Sequence, residues 1–252
     1  SIDKDSSFYN NSKQASLFVF PDKTSGIKDT MDYFTNKRLN IKFASETGFK
    51  LMECKDLKLL TDDDHRTINE NLKILKKYST TYHKIIKNLI QYRNKQMYVY
   101  CDLINGSGIL ICIQLLIRYF GYDLLVSKKD YSEKPRCIFL NDTSNQKTNI
   151  YELIELFNSE ENIEGKYVQV VFGTDKTREG ISLKRIEQIH ICSSDWNFGK
   201  IFQAMGRGVR LGSHKGMLPD TCVDIYFHCA VPKIAQINLL DRKDIDPSLA
   251  SS

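Results

Sequence analysis

The feature that most constrains this chain is a series of short apolar runs of strand length: Met97 to Cys101, Cys137 to Leu140, Val168 to Phe172, Gln188 to Cys192 and Val223 to His228. Helical patterns separate several of them, at Gly108 to Phe120, Ile150 to Asn158 and Gly199 to Met205. Strands that are mostly apolar along their length suit burial on both faces, and strand–helix alternation supplies the crossovers that parallel pairing needs. The expected fold class is therefore α/β, a parallel sheet with helices on both faces. At 252 residues the chain is long enough for one such domain with an attached segment.

Upstream of residue 60 the sequence is polar, with turn signals at Asn10 to Lys13, Pro21 to Gly26 and Thr35 to Arg38, and it reads as partly irregular. Thr61 followed by Asp64 resembles a capping box, and Ile68, Leu72, Ile74 and Leu75 then recur at helical spacing. A second helix is expected from Thr80 to Tyr92. These patterns divide the chain into an inter-lobe or insertion segment (1–65), a main domain (66–240) and a tail (241–252).

Several function classes are disfavoured. Hydrophobic residues make up 41% and charged residues 27%, ordinary globular usage that argues against a wholly disordered or fibrous chain. The most apolar run, Ile109 to Ile117, falls short of the ~20 residues that a membrane-spanning helix requires. Seven cysteines form no C-x-x-C pair and mostly lie in apolar runs, so they read as reduced core residues, and no metal site is expected. A net charge of +5 permits a polyanionic partner without demanding one. Ser1 is not Met and no signal segment follows it, so the chain reads as a piece of a longer, intracellular protein.

Chemistry concentrates in two stretches. In Gln203-Ala-Met-Gly206-Arg207-Gly-Val-Arg210 the two arginines are three apart and can share one face. Forked guanidinium donors stabilise charge on a transferring phosphoryl group, and Gly206 would let backbone approach closely. Alone, R-x-x-R is more often a solvated basic face. Upstream, the strand Val168 to Phe172 runs into Gly173-Thr174-Asp-Lys-Thr-Arg-Glu179-Gly180-Ile181-Ser182-Leu183. Loops leaving the carboxyl ends of parallel strands are where α/β folds bind ligands, although a glycine turn by itself is commonly a plain connection.

Together, in this order, Q-x-x-G-R-x-x-R resembles motif VI and T-D-x(5)-G-I resembles motif V of superfamily 2 helicase motors. The chain looks like their second, C-terminal RecA-like lobe. Ser194-Asp195-Trp196-Asn197 is similar to the W-N that precedes motif VI in Swi/Snf-type translocases. Arg178 to Ile181 and Arg210 to His214 resemble large-DNA-virus relatives of the poxvirus nucleoside triphosphatase I and early transcription factor small subunit type. Met97 to Cys101 resembles motif IV, Tyr78-Ser79 the entry to the lobe, and Gln14 to Pro21 the viral inter-lobe region. Two departures argue against the DEAD-box branch: Ser182 stands where those proteins carry a ribose-contacting aspartate, and Gln203 replaces the initial His.

The resemblance implies that Arg207 and Arg210 act as arginine fingers, with Gln203 touching the triphosphate or ordering them. It places Glu179, Gly180 and Gly206 near the nucleotide, and Thr174, Gly106 and Ser107 near a nucleic-acid strand. The Gly106-Ser107-Gly108 turn opens a helix, whose free amides also suit a phosphate, but it could equally only join strand to helix. Trp196 could stack on a base, though packing against the sheet is the commoner role for a lone Trp.

No G-x-x-x-x-G-K-[S/T] occurs, so a phosphate-cradling loop is expected on another lobe of the same polypeptide. Asp62-Asp63-Asp64-His65 superficially resembles a magnesium motif, but it falls in the first turn of an expected helix, where carboxylates suit the helix dipole. The implied cofactors are ATP and Mg2+, the latter held mainly by the missing lobe. The implied partners are DNA or RNA, that N-terminal lobe and transcription machinery, with no membrane. A viral source would place the protein in host cytoplasm or virion, a cellular remodeller in the nucleus. The rival reading is a non-catalytic docking or nucleic-acid-binding module of a transcription complex.

Overall fold

The computed structural model describes residues 2–19, 25, 34–36, 52–54, 56–60, 65–127, 134–140, 149–174, 180–192, 198–218 and 221–230. The Thr61/Asp64 capping box, the Asp62 to Asp64 run, Glu179 and Trp196 lie outside the described residues.

The chain opens with helix α1 (Ile2–Leu17), followed by an antiparallel pair, β1 (Phe34–Asn36) and β2 (Met52–Cys54). Helices α2 (His65–Tyr78) and α3 (Thr80–Gln91) lead into strand β3 (Gln96–Tyr100) and helix α4 (Ile109–Tyr119). Strands β4 (Asp123–Leu124) and β5 (Arg136–Leu140), helix α5 (Asn149–Asn158) and strands β6 (Val170–Gly173) and β7 (Ile186–Ile191) come next. Helix α6 (Phe198–Met205) and strand β8 (Asp224–Phe227) complete the order. The six later strands form one sheet in the order β4-β5-β6-β3-β7-β8, every adjacent pair parallel.

Alternation along the central strand divides the core. Met97 and Val99 of β3 join an apolar cluster with Leu72 and Leu75 of α2, Ile85, Ile86 and Leu89 of α3, and the inward face of α4. Tyr98 and Tyr100 point to the other face, among Leu153 and Phe157 of α5 and Ile201 and Ala204 of α6. All five β3 positions are buried, as expected for a parallel strand covered on both sides. The five expected strands are present, with ends displaced by one or two residues, where assignment is least sharp.

Three local expectations require correction. Asn10 to Lys13, read as a turn, lie inside α1 despite the low helix propensity of Asn10, Asn11 and Ser12. Tertiary contacts override that preference. Lys13 forms an ion pair with Asp102, Gln14 Oε1 accepts the Ser107 amide at 2.5 Å, and Leu17 and Phe18 are buried in the core. Thr35 and Asn36, read as a turn, belong to β1. Strand β4 escaped the sequence because two residues show no period.

The junction of α2 and α3 shows how α1 is held. Ser79 caps α3, its Oγ accepting the Tyr82 amide at 2.9 Å while its hydroxyl donates to the Leu17 carbonyl at 2.5 Å. Phe18 stacks on Tyr78 with ring centroids 5.7 Å apart.

Candidate nucleotide and nucleic-acid site

Because every strand in the sheet is parallel, the loops after β3 and β6 leave from the same edge, so the turn at Gly106 and the segment at Thr174 share it. Thr174 follows β6 directly and is completely buried. Gly180 has φ of +90°, and a Cβ built there meets nothing within 4 Å, so it forms a left-handed turn beside open space.

From Gly180 the chain does not stay at the strand ends. It returns across the sheet face, burying Ile181 and Leu183 among the α5 and α6 side chains before entering β7. Asn158, at the end of α5, pins this limb: its Nδ2 donates to the Ser182 carbonyl at 2.8 Å and its Oδ1 accepts the Lys184 amide at 2.7 Å. Arg185 adopts φ of +59°, a left-handed backbone conformation that residues with a Cβ seldom take. Its guanidinium donates to the carbonyls of Asn158 and, at 2.6 Å, Ser159.

The arginine turn is built onto that limb. Helix α6 ends as Gly206 donates its amide to Phe202 at 2.8 Å, and the Arg207 carbonyl then accepts the Leu183 amide at 2.8 Å. Arg185 donates its amide to the Ser213 carbonyl at 3.0 Å, and His214 Nε2 meets the Ile186 carbonyl at 2.6 Å. The glycine in close approach is Gly208, not Gly206. A Cβ on Gly208 would lie 3.2 Å from Ile186 and Ile189 of β7, whereas one on Gly206 would meet only carbonyls of its own helix. Gly206 ends the helix, and Gly208 seats the turn on the sheet.

Arg207 is half-buried, and its charge acts on the hydroxyl of Tyr98, which reaches the last residue of β6, Gly173. Tyr98 thus lies between the neighbourhood of that charge and the strand end where the Thr174 segment begins. Arg210 is exposed, with Nε donating to the Gly206 carbonyl at 2.7 Å, and Gln203 is exposed on α6. The Leu183 to Arg207 bond ties the arginine turn to the limb that follows Gly180.

The loop after β3 is clamped rather than open. Gly106 has φ of +67°, and a Cβ there would lie 2.6 Å from Gln14 Oε1, so glycine is required twice over. Ser107 is fully buried, its hydroxyl donating to the Phe18 carbonyl at 2.9 Å and its carbonyl accepting from Tyr82 at 2.6 Å. The expectation that Ser107 touches nucleic acid is corrected: its polar groups are engaged inside the chain, and it shapes the loop.

Sequence reasoning missed Asn158, Arg185 and the structural use of Ser213 and His214. Only the Arg210 to His214 stretch carried any signal, as a family pattern without an assigned role. Among the described residues no group of three or more His, Cys, Asp and Glu side chains could hold a metal ion, and no helix is long and apolar enough to cross a membrane.

Comparison with known proteins fits this geometry. Residues 76–212 match the family described as helicase conserved C-terminal domain, spanning β3 through the arginine turn. A helicase of Invertebrate iridescent virus 3 is 31% identical over 85% of this chain and 20% of its own length. Nucleoside triphosphatase I of Choristoneura fumiferana entomopoxvirus is 30% identical over 79% of this chain and 30% of its own length. The solved C-terminal part of the Fun30 ATPase domain is 16% identical, covers 88% of this chain and 59% of that one, and has a TM-score of 0.40. This chain therefore spans less than a third of the length of either viral relative. It belongs to the helicase conserved C-terminal domain family.

Proposed function

We propose that this lobe completes an ATPase site whose phosphate-binding half lies on an N-terminal lobe of the same polypeptide, and that closure of the two moves nucleic acid. The observation that carries this reading is the backbone bond between Leu183 and Arg207, which ties the limb returning from the Gly180 turn to the arginine turn. A turn held in that way can present positive charge in a fixed place, and preorganised charge is what phosphoryl transfer chiefly needs.

The residues present suit a triphosphate: a guanidinium held at Arg207, a second on exposed Arg210, and an open left-handed turn at Gly180. In this reading Arg207 and Arg210 are the fingers, Gln203 orders them, and Glu179, Gly180 and Gly206 border the nucleotide. ATP supplies the phosphoryl group, and Mg2+ would be held mainly by the other lobe. Because the arginines meet the phosphates only when the lobes approach, hydrolysis is tied to opening and closing. Thr174 and the Gly106 turn line the nucleic-acid path, with Ser107 supporting that turn from inside. Residues 66–240 form the lobe, and residues 1–65 belong to an inter-lobe segment anchored through α1. The proposal includes a role in viral transcription, as the sequence resemblance to the poxvirus type implies.

The division of labour is tested by ATP hydrolysis of the 252-residue chain alone and of the full polypeptide. The chain alone is expected at background and the full polypeptide active. Substantial hydrolysis by the isolated chain, abolished by a substitution within it, would overturn the reading.

A further inference from the structure

Tyr98 presents a physical anomaly. Its side chain is fully buried in the middle of the sheet, and among the described residues its hydroxyl has no hydrogen-bond partner. Buried polar groups are nearly always paired, because an unmet hydroxyl forfeits its hydration without return, at a cost of about 1–3 kcal/mol. Phenylalanine would fill the same space among Val171, Ile189 and Leu183 without that cost.

The position of the hydroxyl is informative. It lies against Gly173, where a Cβ would come within 2.6 Å of it, so the ring occupies room that only a glycine leaves at the end of β6. That is the point where the Thr174 segment begins. Burial drives the phenol pKa up, and the one charge opposing that shift is the Arg207 guanidinium. Arg207 is itself tethered by its carbonyl to Leu183, so its backbone cannot drift while its side chain rearranges.

We propose that Tyr98 is a positioning residue for Arg207: its hydroxyl oxygen accepts a hydrogen bond from the guanidinium when a triphosphate draws that side chain into the crevice. A phenolic oxygen is a sound acceptor for an N–H donor, and the bond would fix one rotamer of a long, flexible side chain. The hydroxyl is left unmet in one state so that it can be met in the catalytically competent one, a cost to stability retained for function. This inference rests on the finger role given to Arg207 above.

The test is a double-mutant cycle of Tyr98→Phe and Arg207→Ala in the full polypeptide, read by ATPase kcat, by KM for ATP and by thermal unfolding. Tyr98→Phe is expected to lower kcat about tenfold, as loss of a bond to a charged group would, with KM little changed and the melting temperature equal or higher. In the Arg207→Ala background it should have no further effect on single-turnover hydrolysis. An unchanged kcat for Tyr98→Phe, a fall accompanied by a lower melting temperature, or the same fall without Arg207 would each overturn the inference. Failure of Arg207→Ala to impair hydrolysis would instead refute the finger reading on which it rests.

Discussion

The amide of Leu183 donates to the carbonyl of Arg207 at 2.8 Å, so the limb that returns from Gly180 and the turn that carries both arginines are joined through backbone. Side-chain substitution cannot remove that bond, but it can remove what holds the limb in place.

Asn158 is the most exposed weakness in that support. It satisfies both Ser182 and Lys184 from the end of α5, and Asn158→Ala deletes two bonds at once. We predict a loss of about 1–3 kcal/mol in chemical denaturation, since partly buried backbone groups lose their partners. ATPase of the full polypeptide should fall by more than global unfolding accounts for at the assay temperature. Asn158→Asp should retain acceptance from Lys184 and lose donation to Ser182, giving an intermediate effect.

Gly208 seats the arginine turn on β7. Gly208→Ala places a methyl 3.2 Å from the Cδ1 of Ile189, and we predict destabilisation of about 1 kcal/mol from overpacking, although alanine otherwise restricts the unfolded chain favourably. Ile189→Val removes that Cδ1. The two substitutions together should cost less than their sum, measured as a coupling in urea unfolding.

His190 of β7 and His228 after β8 share a hydrogen bond, Nδ1 to Nε2 at 3.0 Å, with His190 stacked on Tyr226 at 4.7 Å and Lys84 5.5 Å above that tyrosine. Burial first, then neighbouring positive charge, pushes His190 down to about 3 and His228 to about 4. Both are neutral in the folded chain at pH 7. Their ordinary value is 6.5, so above it folded and unfolded forms are alike and stability is full. As pH falls from 6.5 toward 4 the unfolded chain takes up protons that the folded chain refuses, and stability is lost progressively. Urea unfolding across this range should show that slope, and His190→Phe should reduce it.

Gln14 joins α1 to the Gly106 loop. Gln14→Ala removes the acceptor of the Ser107 amide, and we predict destabilisation of about 1–2 kcal/mol with faster hydrogen exchange at Ser107. A loop unaffected in exchange would show that Tyr82 and Phe18 suffice to hold it.

The sheet was legible because its strands are buried on both faces and bounded by helices of the opposite period; Met97 to Cys101 and Val168 to Phe172 could hardly have been anything else. The Thr174 to Leu183 and Gln203 to Arg210 stretches stood out in the sequence because residue type and spacing are both restricted there. Helix α1 was not, because what stabilises it is a set of contacts to Asp102, Ser107 and Ser79, which are distant in sequence. Nor was the role of Asn158 or Arg185, since a polar residue after a helix commonly caps that helix, and only the fold shows these two reaching across to another segment. Tyr98 read as one more apolar strand position. Its hydroxyl became significant only once its surroundings were known.

Steady-state ATP hydrolysis by the full polypeptide carrying Arg207→Ala or Arg210→Ala tests the central claim most directly. If these guanidinium groups stabilise charge on the transferring phosphoryl, kcat falls by about a thousandfold or more while the fold, read by thermal unfolding, is retained. Near-normal turnover in both variants would contradict the account and leave this lobe as a docking module.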